Sequence, residues 1–209
     1  MYMIESILSE RIFREPSGES PLIVAICGAA DLGKSHLSKR IIKQLEKKDI
    51  RSSHLTLDSF MMDRNKRLEQ GLSGYHIEAY DLERAKDALS NFKQQNIFCY
   101  SPYDHSSGIN SSILKTIENC SVLIFDGLHS MHQEFSSYID ISIFIYTEDA
   151  QLRKMRSEAD TSKRGQTKEF SQSNSSSELR SYKMFVEPYV LSSTLKLYMT
   201  KKWSYELQE

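Results

Sequence analysis

The stretch Gly28-Ala29-Ala30-Asp31-Leu32-Gly33-Lys34-Ser35 holds residue types at a spacing suited to gripping a phosphate chain. It satisfies G-x-x-x-x-G-K-[ST]: the glycines let backbone N–H groups turn inward around phosphate oxygens, Lys34 reaches the β- and γ-phosphates, and Ser35 offers its hydroxyl to Mg²⁺. The cofactors expected are ATP and Mg²⁺, with all eight residues in the nucleotide seat. Two members are unusual. Leu32 is bulky for a tight loop, and Asp31 carries a negative charge toward the phosphates, so both side chains must point away from the nucleotide.

A strand before the loop and a helix after it must hold it in shape. Leu22-Ile23-Val24-Ala25-Ile26-Cys27 is an apolar run of the kind buried in a parallel sheet, and Leu37, Ile41, Ile42 and Leu45 follow at helical spacing. The helix adds its positive N-terminal end to the phosphate site. A second strand through His54-Leu55-Thr56-Leu57 ends at Asp58. Ligands of open parallel sheets collect at the carboxyl ends of strands, which places this acid for chemistry. Val122-Leu123-Ile124-Phe125-Asp126 is a buried strand ending in an acid, the Walker-B pattern, and gives Asp126 a place beside Ser35 in the Mg²⁺ shell. Ile141–Tyr146 and Leu195–Met199 supply further strands. Asp81 begins a helix carrying Leu82, Ala85, Leu89 and Phe92, and Asn96–Tyr100 fits a short edge strand.

Candidates for the acceptor side are less specific. Arg64, in Asp63-Arg64-Asn65-Lys66-Arg67, suits either a clamp on a substrate phosphate or a solvated helix face. Ser101-Pro102-Tyr103-Asp104-His105-Ser106-Ser107-Gly108 is a shaped loop, and Tyr103, Asp104 and His105 supply donors and acceptors for substrate hydroxyls, or a plain surface turn. His129 is read as a substrate contact or a structural histidine. A helix bearing Arg153, Lys154 and Arg156 runs into Asp160-Thr161-Ser162-Lys163-Arg164-Gly165 and a polar tract from Gln166 to Ser177. That tract has the composition of a mobile loop. Over a phosphate-transfer site it would be a lid, about residues 160–178, that excludes water and brings an arginine to the developing charge. Leu179 to Tyr189 then gives a last helix.

The bulk properties narrow the classes. With 209 residues and a net charge of −1, the chain suits one domain with a lid and has no basic field for nucleic acid or acidic membrane. Cys27, Cys99 and Cys120 lack paired metal spacing and read as free thiols in a reducing compartment. No apolar run approaches a membrane span, and the N-terminus has no secretory signal, so a cytoplasmic enzyme is expected. Residues 1–20 form an N-terminal helical extension, with Ile4, Ile7, Leu8 and Ile12 as its apolar stripe. The stripe suits covering the sheet or meeting a second copy in a homo-oligomer. The expected partner is a small-molecule hydroxyl acceptor.

From about Leu22 to Tyr189 the residues resemble the phosphoribulokinase/uridine kinase family of P-loop small-molecule kinases. Besides the loop, Leu57-Asp58-Ser59-Phe60 is similar to the family's catalytic Asp segment, and Pro102-Tyr103-Asp104 to the substrate loop of uridine kinases. Phe125-Asp126-Gly127-Leu128 stands in place of the family's Glu-Gly-Ile/Leu. Asp160 with Arg164-Gly165 repeats its lid spacing, and Ser181-Tyr182 with Phe185-Val186-Glu187-Pro188 its post-lid helix. The resemblance implies a P-loop NTPase-type three-layer α/β/α fold, with a mostly parallel five-stranded sheet and a mobile lid. It implies Asp58 as general base, Ser35 and Asp126 on Mg²⁺, and Arg164 on the phosphates alongside Lys34. At the acceptor end the chain departs from uridine kinases: Met61 replaces a Tyr or His, and Tyr75-His76-Ile77 replaces an Asp-His-Pro run. Tyr103–Gly108 and Asp126–Met131 look closer to phosphoribulokinase.

The function expected is transfer of the γ-phosphate of ATP to a hydroxyl of a small metabolite, first a nucleoside as in uridine kinases. The alternatives are a sugar or sugar-phosphate kinase and a non-catalytic P-loop ATP-binding regulator. A GTPase is disfavoured because Asn65-Lys66-Arg67-Leu68 lacks the Asp of the guanine-reading Asn-Lys-x-Asp.

Overall fold

The computed structural model of the chain describes residues 3–15, 20–163, 165 and 167–208. In chain order the elements are α1 (Ile4–Arg14), β1 (Leu22–Gly28), α2 (Lys34–Glu46), β2 (Ser52–Thr56), α3 (Arg64–Glu69), α4 (Leu82–Gln95), β3 (Ile97–Tyr100), β4 (Tyr103–Asp104), β5 (Ile109–Asn110), β6 (Lys115–Glu118), β7 (Val122–Asp126), β8 (Ile141–Tyr146), α5 (Asp149–Lys163), α6 (Lys168–Phe185), β9 (Leu195–Lys201) and β10 (Ser204–Gln208).

The central sheet has six strands in the order β10-β9-β8-β1-β7-β2. Five run parallel, and β10 returns antiparallel to β9, adding one strand to the expected five. Alternate residues of β7 feed two cores. Val122 and Ile124 pack with Leu37, Ile41 and Leu45 of α2, and Leu123 and Phe125 with Leu89 and Phe92 of α4. Helices thus cover both faces, the three-layer arrangement a buried parallel sheet requires. Parallel registry aligns Ile26 and Thr56 with Asp126, bringing the carboxyl ends of β1, β7 and β2 side by side.

On α1, Ile4, Leu8 and Ile12, spaced four apart, are buried against α2 and β10, while Ile7 of the same stripe stays exposed. Glu5, 3% exposed, accepts from Arg40 Nη2 with both carboxylate oxygens at 2.7 Å and from Nε at 3.1 Å, which fixes α1 to α2. Asp81 caps α4, accepting from the Arg84 amide at 3.1 Å. Cys27 and Cys120 are buried and Cys99 is exposed, all as free thiols.

Three local expectations change. The second strand stops at Thr56, and Leu57–Phe60 closes into a 3-10 turn. β3 pairs with β6, as a ribbon separate from the main sheet. The polar tract folds as α6 from Lys168 onward and packs on α5, because it contains neither Pro nor Gly to break a helix. Among the described residues no helix is long and apolar enough to cross a membrane.

Candidate functional site

The phosphate-binding loop leaves β1 at Gly28 and enters α2 at Lys34. Its shape depends on its two glycines. Gly28 has φ +141°, and a Cβ there would stand 2.3 Å from the Ile145 carbonyl oxygen. Gly33 has φ +80°, and a Cβ would meet the Trp203 ring at 2.5 Å and the Tyr205 hydroxyl at 2.6 Å. The β9–β10 hairpin therefore backs the loop, and Tyr205 donates its hydroxyl to the Leu32 carbonyl at 2.7 Å. Leu32 is fully buried in the core beneath the loop. Asp31 turns the other way, its carboxylate 3.3 Å from Arg156 of α5. Lys34 Nζ donates to the carbonyls of Gly28 and Ala29 at 3.0 and 2.8 Å, lying along the inside of the loop, while Ser35 is exposed at the helix start.

Asp126 ends β7 beside the loop and is 1% exposed. Its Oδ2 lies 2.9 Å from His54 Nε2 and accepts from Ser38 Oγ at 3.3 Å. Burial pushes this carboxyl up, but the His54 hydrogen bond and charge, the Ser35 hydroxyl and the nearby Lys34 outweigh it, and the group titrates below its ordinary range. An ionised carboxylate with a hydroxyl beside it is the hard oxygen donor set Mg²⁺ takes, and one or two carboxylates suffice when phosphates complete the shell. Among the described residues no cluster of three or more His, Cys, Asp or Glu could hold a metal without such help. His54 was not singled out in the sequence. Its role depends on β2 lying next to β7, a pairing that no local pattern announces.

Asp58 sits in the 3-10 turn after β2, its amide bonded to Thr56 Oγ1 at 3.4 Å and its side chain 25% exposed. Gly127, just past Asp126, faces that turn, and a Cβ there would stand 2.6 Å from Leu57 Cβ. The β4–β5 hairpin folds over the same turn. Asn110 Nδ2 donates to the Ser59 carbonyl at 2.7 Å, and His105 Nε2 comes within 3.2 Å of Asp58 Oδ2.

The other acceptor-side candidates shape this hairpin. Arg64 donates its guanidinium to the His105 carbonyl, and its amide bonds the Gly108 carbonyl at 2.8 Å. Arg67 reaches the Tyr103 hydroxyl at 3.1 Å, and that hydroxyl donates to the Gly108 carbonyl at 3.0 Å. Asp104 is held by the side chain and amide of Ser106 and by the Ser107 hydroxyl, which pull its carboxyl down to about 2. Its carboxylate fastens the turn, the plainer of the two uses open to it.

His129 is corrected from a substrate contact to an interior histidine. It is 1% exposed, with Nδ1 3.1 Å from the Tyr189 hydroxyl and Nε2 3.1 Å from the Tyr75 carbonyl, and burial lowers its pKa to about 4. Arg164, the expected lid arginine, lies outside the described residues. Residues 160–163 are the last turn of α5, and the segment from 168 is helical.

The sequence profile of the Phosphoribulokinase / Uridine kinase family matches residues 23–199. The chain is 27% identical over 175 residues to uridine-cytidine kinase A of Dictyostelium discoideum, covering 81% of this chain and 33% of that protein. The chain thus spans about a third of that relative's length. Uridine-cytidine kinase B of the same organism is 26% identical over 172 residues, covering 80% of this chain and 67% of its own. A candidate fructose transport system kinase from Silicibacter sp. TM1040 shares the fold, with a TM-score of 0.77 at 18% identity over 88% of this chain and 96% of that one. The profile runs from β1 through the loop, Asp58, Asp126 and the α5–α6 pair into β9, and the chain belongs to the phosphoribulokinase/uridine kinase family.

Proposed function

We propose that this chain is an ATP-dependent kinase that phosphorylates a hydroxyl of a small polar metabolite, with a nucleoside of the uridine kind as its acceptor. One observation carries the reading: the adjoining ends of β1, β7 and β2 put the phosphate-binding loop, Asp126 and Asp58 along one edge of the sheet. Asp58 accepts the proton as the acceptor oxygen forms its bond to the γ-phosphorus. The bond to the β-phosphate oxygen breaks, and ADP leaves. Lys34 and the lid arginine Arg164 offset the charge spread over the transferring group. Ser35 and Asp126 would hold Mg²⁺, which supplies Lewis-acid neutralisation of the phosphate oxygens. Support for a nucleoside comes from the Dictyostelium uridine-cytidine kinases.

A sugar or sugar-phosphate acceptor is the second reading. It is favoured by Arg64 and Arg67, two guanidinium groups of α3 that bond the β4–β5 hairpin and, with Arg64 also on the Ser106 carbonyl and Arg67 also on the Met62 carbonyl, still keep N–H donors to spare. The test is ADP release from Mg-ATP across a panel of nucleosides, pentose phosphates and small sugars. Stimulation by uridine or cytidine is expected. Stimulation by a sugar phosphate alone would replace the acceptor, and ATP turnover that no acceptor stimulates would replace the kinase by an ATP-binding regulator.

A further inference from the structure

We propose that Arg156 is the positioning residue that lets a phosphate-binding loop bearing an acid accept a triphosphate: it holds the Asp31 carboxylate on the α5 side of the loop, turned away from the phosphate seat. The inference rests on the reading of the loop as an ATP seat and adds to it a residue outside the G-x-x-x-x-G-K-[ST] signature.

Asp31 sits at φ +64°, a left-handed conformation that Asp tolerates better than most side chains. Its side chain is only 9% exposed, so water does little to screen it. At such a site a carboxylate beside the seat repels a triphosphate far more strongly than it would in water. The loop disposes of its two unusual residues in opposite directions, Leu32 into the core and Asp31 onto Arg156 Nη1 at 3.3 Å. Arg156 is itself held in place. Its Nε lies 3.2 Å from Asp160 one turn along α5, and its Nη2 donates to Glu178 of α6. A planar fork with donors on three nitrogens can face three acids on three elements at once, which a lysine ammonium cannot do at fixed geometry. Asp31 then points along a direction set by α5 and α6, and the nest of loop amides is left to the phosphates.

The test is a double-mutant cycle read by calorimetric binding of Mg-ATP and by steady-state kinetics. Arg156→Met is expected to weaken ATP binding about tenfold or more, with the loss in KM for ATP and kcat at saturating ATP within about threefold. Asp31→Ser alone is expected to tighten binding severalfold. In the Asp31→Ser background the cost of Arg156→Met should shrink to under about threefold, a coupling that independent sites do not show. A loss of equal size in both backgrounds, or no loss in either, would overturn the proposal while leaving the ATP seat intact. Wild-type protein that binds no ATP would overturn both. Should Arg156→Met not fold, Arg156→Lys, which keeps the charge and loses the fork, carries the same comparison in the two backgrounds.

Discussion

His105 Nε2 and Asp58 Oδ2 stand 3.2 Å apart, so the tip of the acceptor hairpin rests on the proposed base. The histidine side chain is 69% exposed, and a polar contact so open to water contributes little to stability.

Replacing the base separates binding from chemistry. Asp58→Asn is expected to bind Mg-ATP as the wild type does and to lose phosphoryl transfer by a factor on the order of 10² or more. Calorimetry alongside a coupled ADP assay reads both. Turnover near the wild-type level would remove Asp58 from the role.

His105→Ala should act on the acceptor. KM for the acceptor is expected to rise about tenfold while KM for ATP holds within about twofold. The melting temperature should barely move, because the surface pair contributes only about 0–1 kcal/mol. A matched rise in both Michaelis constants would mean that the hairpin also shapes the nucleotide seat.

His54 orients Asp126 from the neighbouring strand, and removing such an outer partner typically costs 10- to 100-fold in metal affinity. His54→Ala is expected to raise the Mg²⁺ concentration for half-maximal activity by about that factor, with chelation of Mg²⁺ abolishing activity in both proteins. An unchanged Mg²⁺ dependence would show that Ser38 and the strand end are enough to aim the carboxylate.

His129 gives the fold an acid sensitivity of definite sign. Its pKa is lowered by burial from 6.5 to about 4, so between those values the unfolded chain binds a proton that the folded chain does not. Stability from this site is therefore complete above about pH 6.5 and declines as pH falls toward 4, by a total on the order of 3 kcal/mol. Denaturant unfolding of wild type and His129→Gln across that range should show the slope flattened in the variant. Parallel pH profiles would place the sensitivity elsewhere.

Much of the nucleotide side was legible because its signals are local. Gly28, Gly33 and Lys34 stand within one loop, Asp126 closes an apolar run that announces a strand, and Asp58 follows an alternating one. What was hidden depends on which elements become neighbours. His54 matters through the β2–β7 pairing, Arg156 through the seating of α5 on the loop, and His129 is enclosed by Tyr75 and Tyr189 from far along the chain. The sixth strand was missed for a different reason. Its hairpin turns through Lys202 and Trp203, with Trp203 at φ +60°, and carries none of the Gly or Asn that usually mark such a turn. The serine-rich tract misled by composition alone, since a polar segment without breakers can be helical when it has a neighbour such as α5 to lie on.

Gly127 sets the gauge of the cleft. With no side chain at that position, the turn carrying Asp58 closes down on the end of β7, and Leu57 occupies the space a methyl group would need. The separation between the Asp58 and Asp126 carboxylates is thereby governed by hydrogen in place of carbon, at a residue assigned no contact with substrate, nucleotide or ion. Any larger residue there would pry the two acids apart while leaving every reacting group chemically whole.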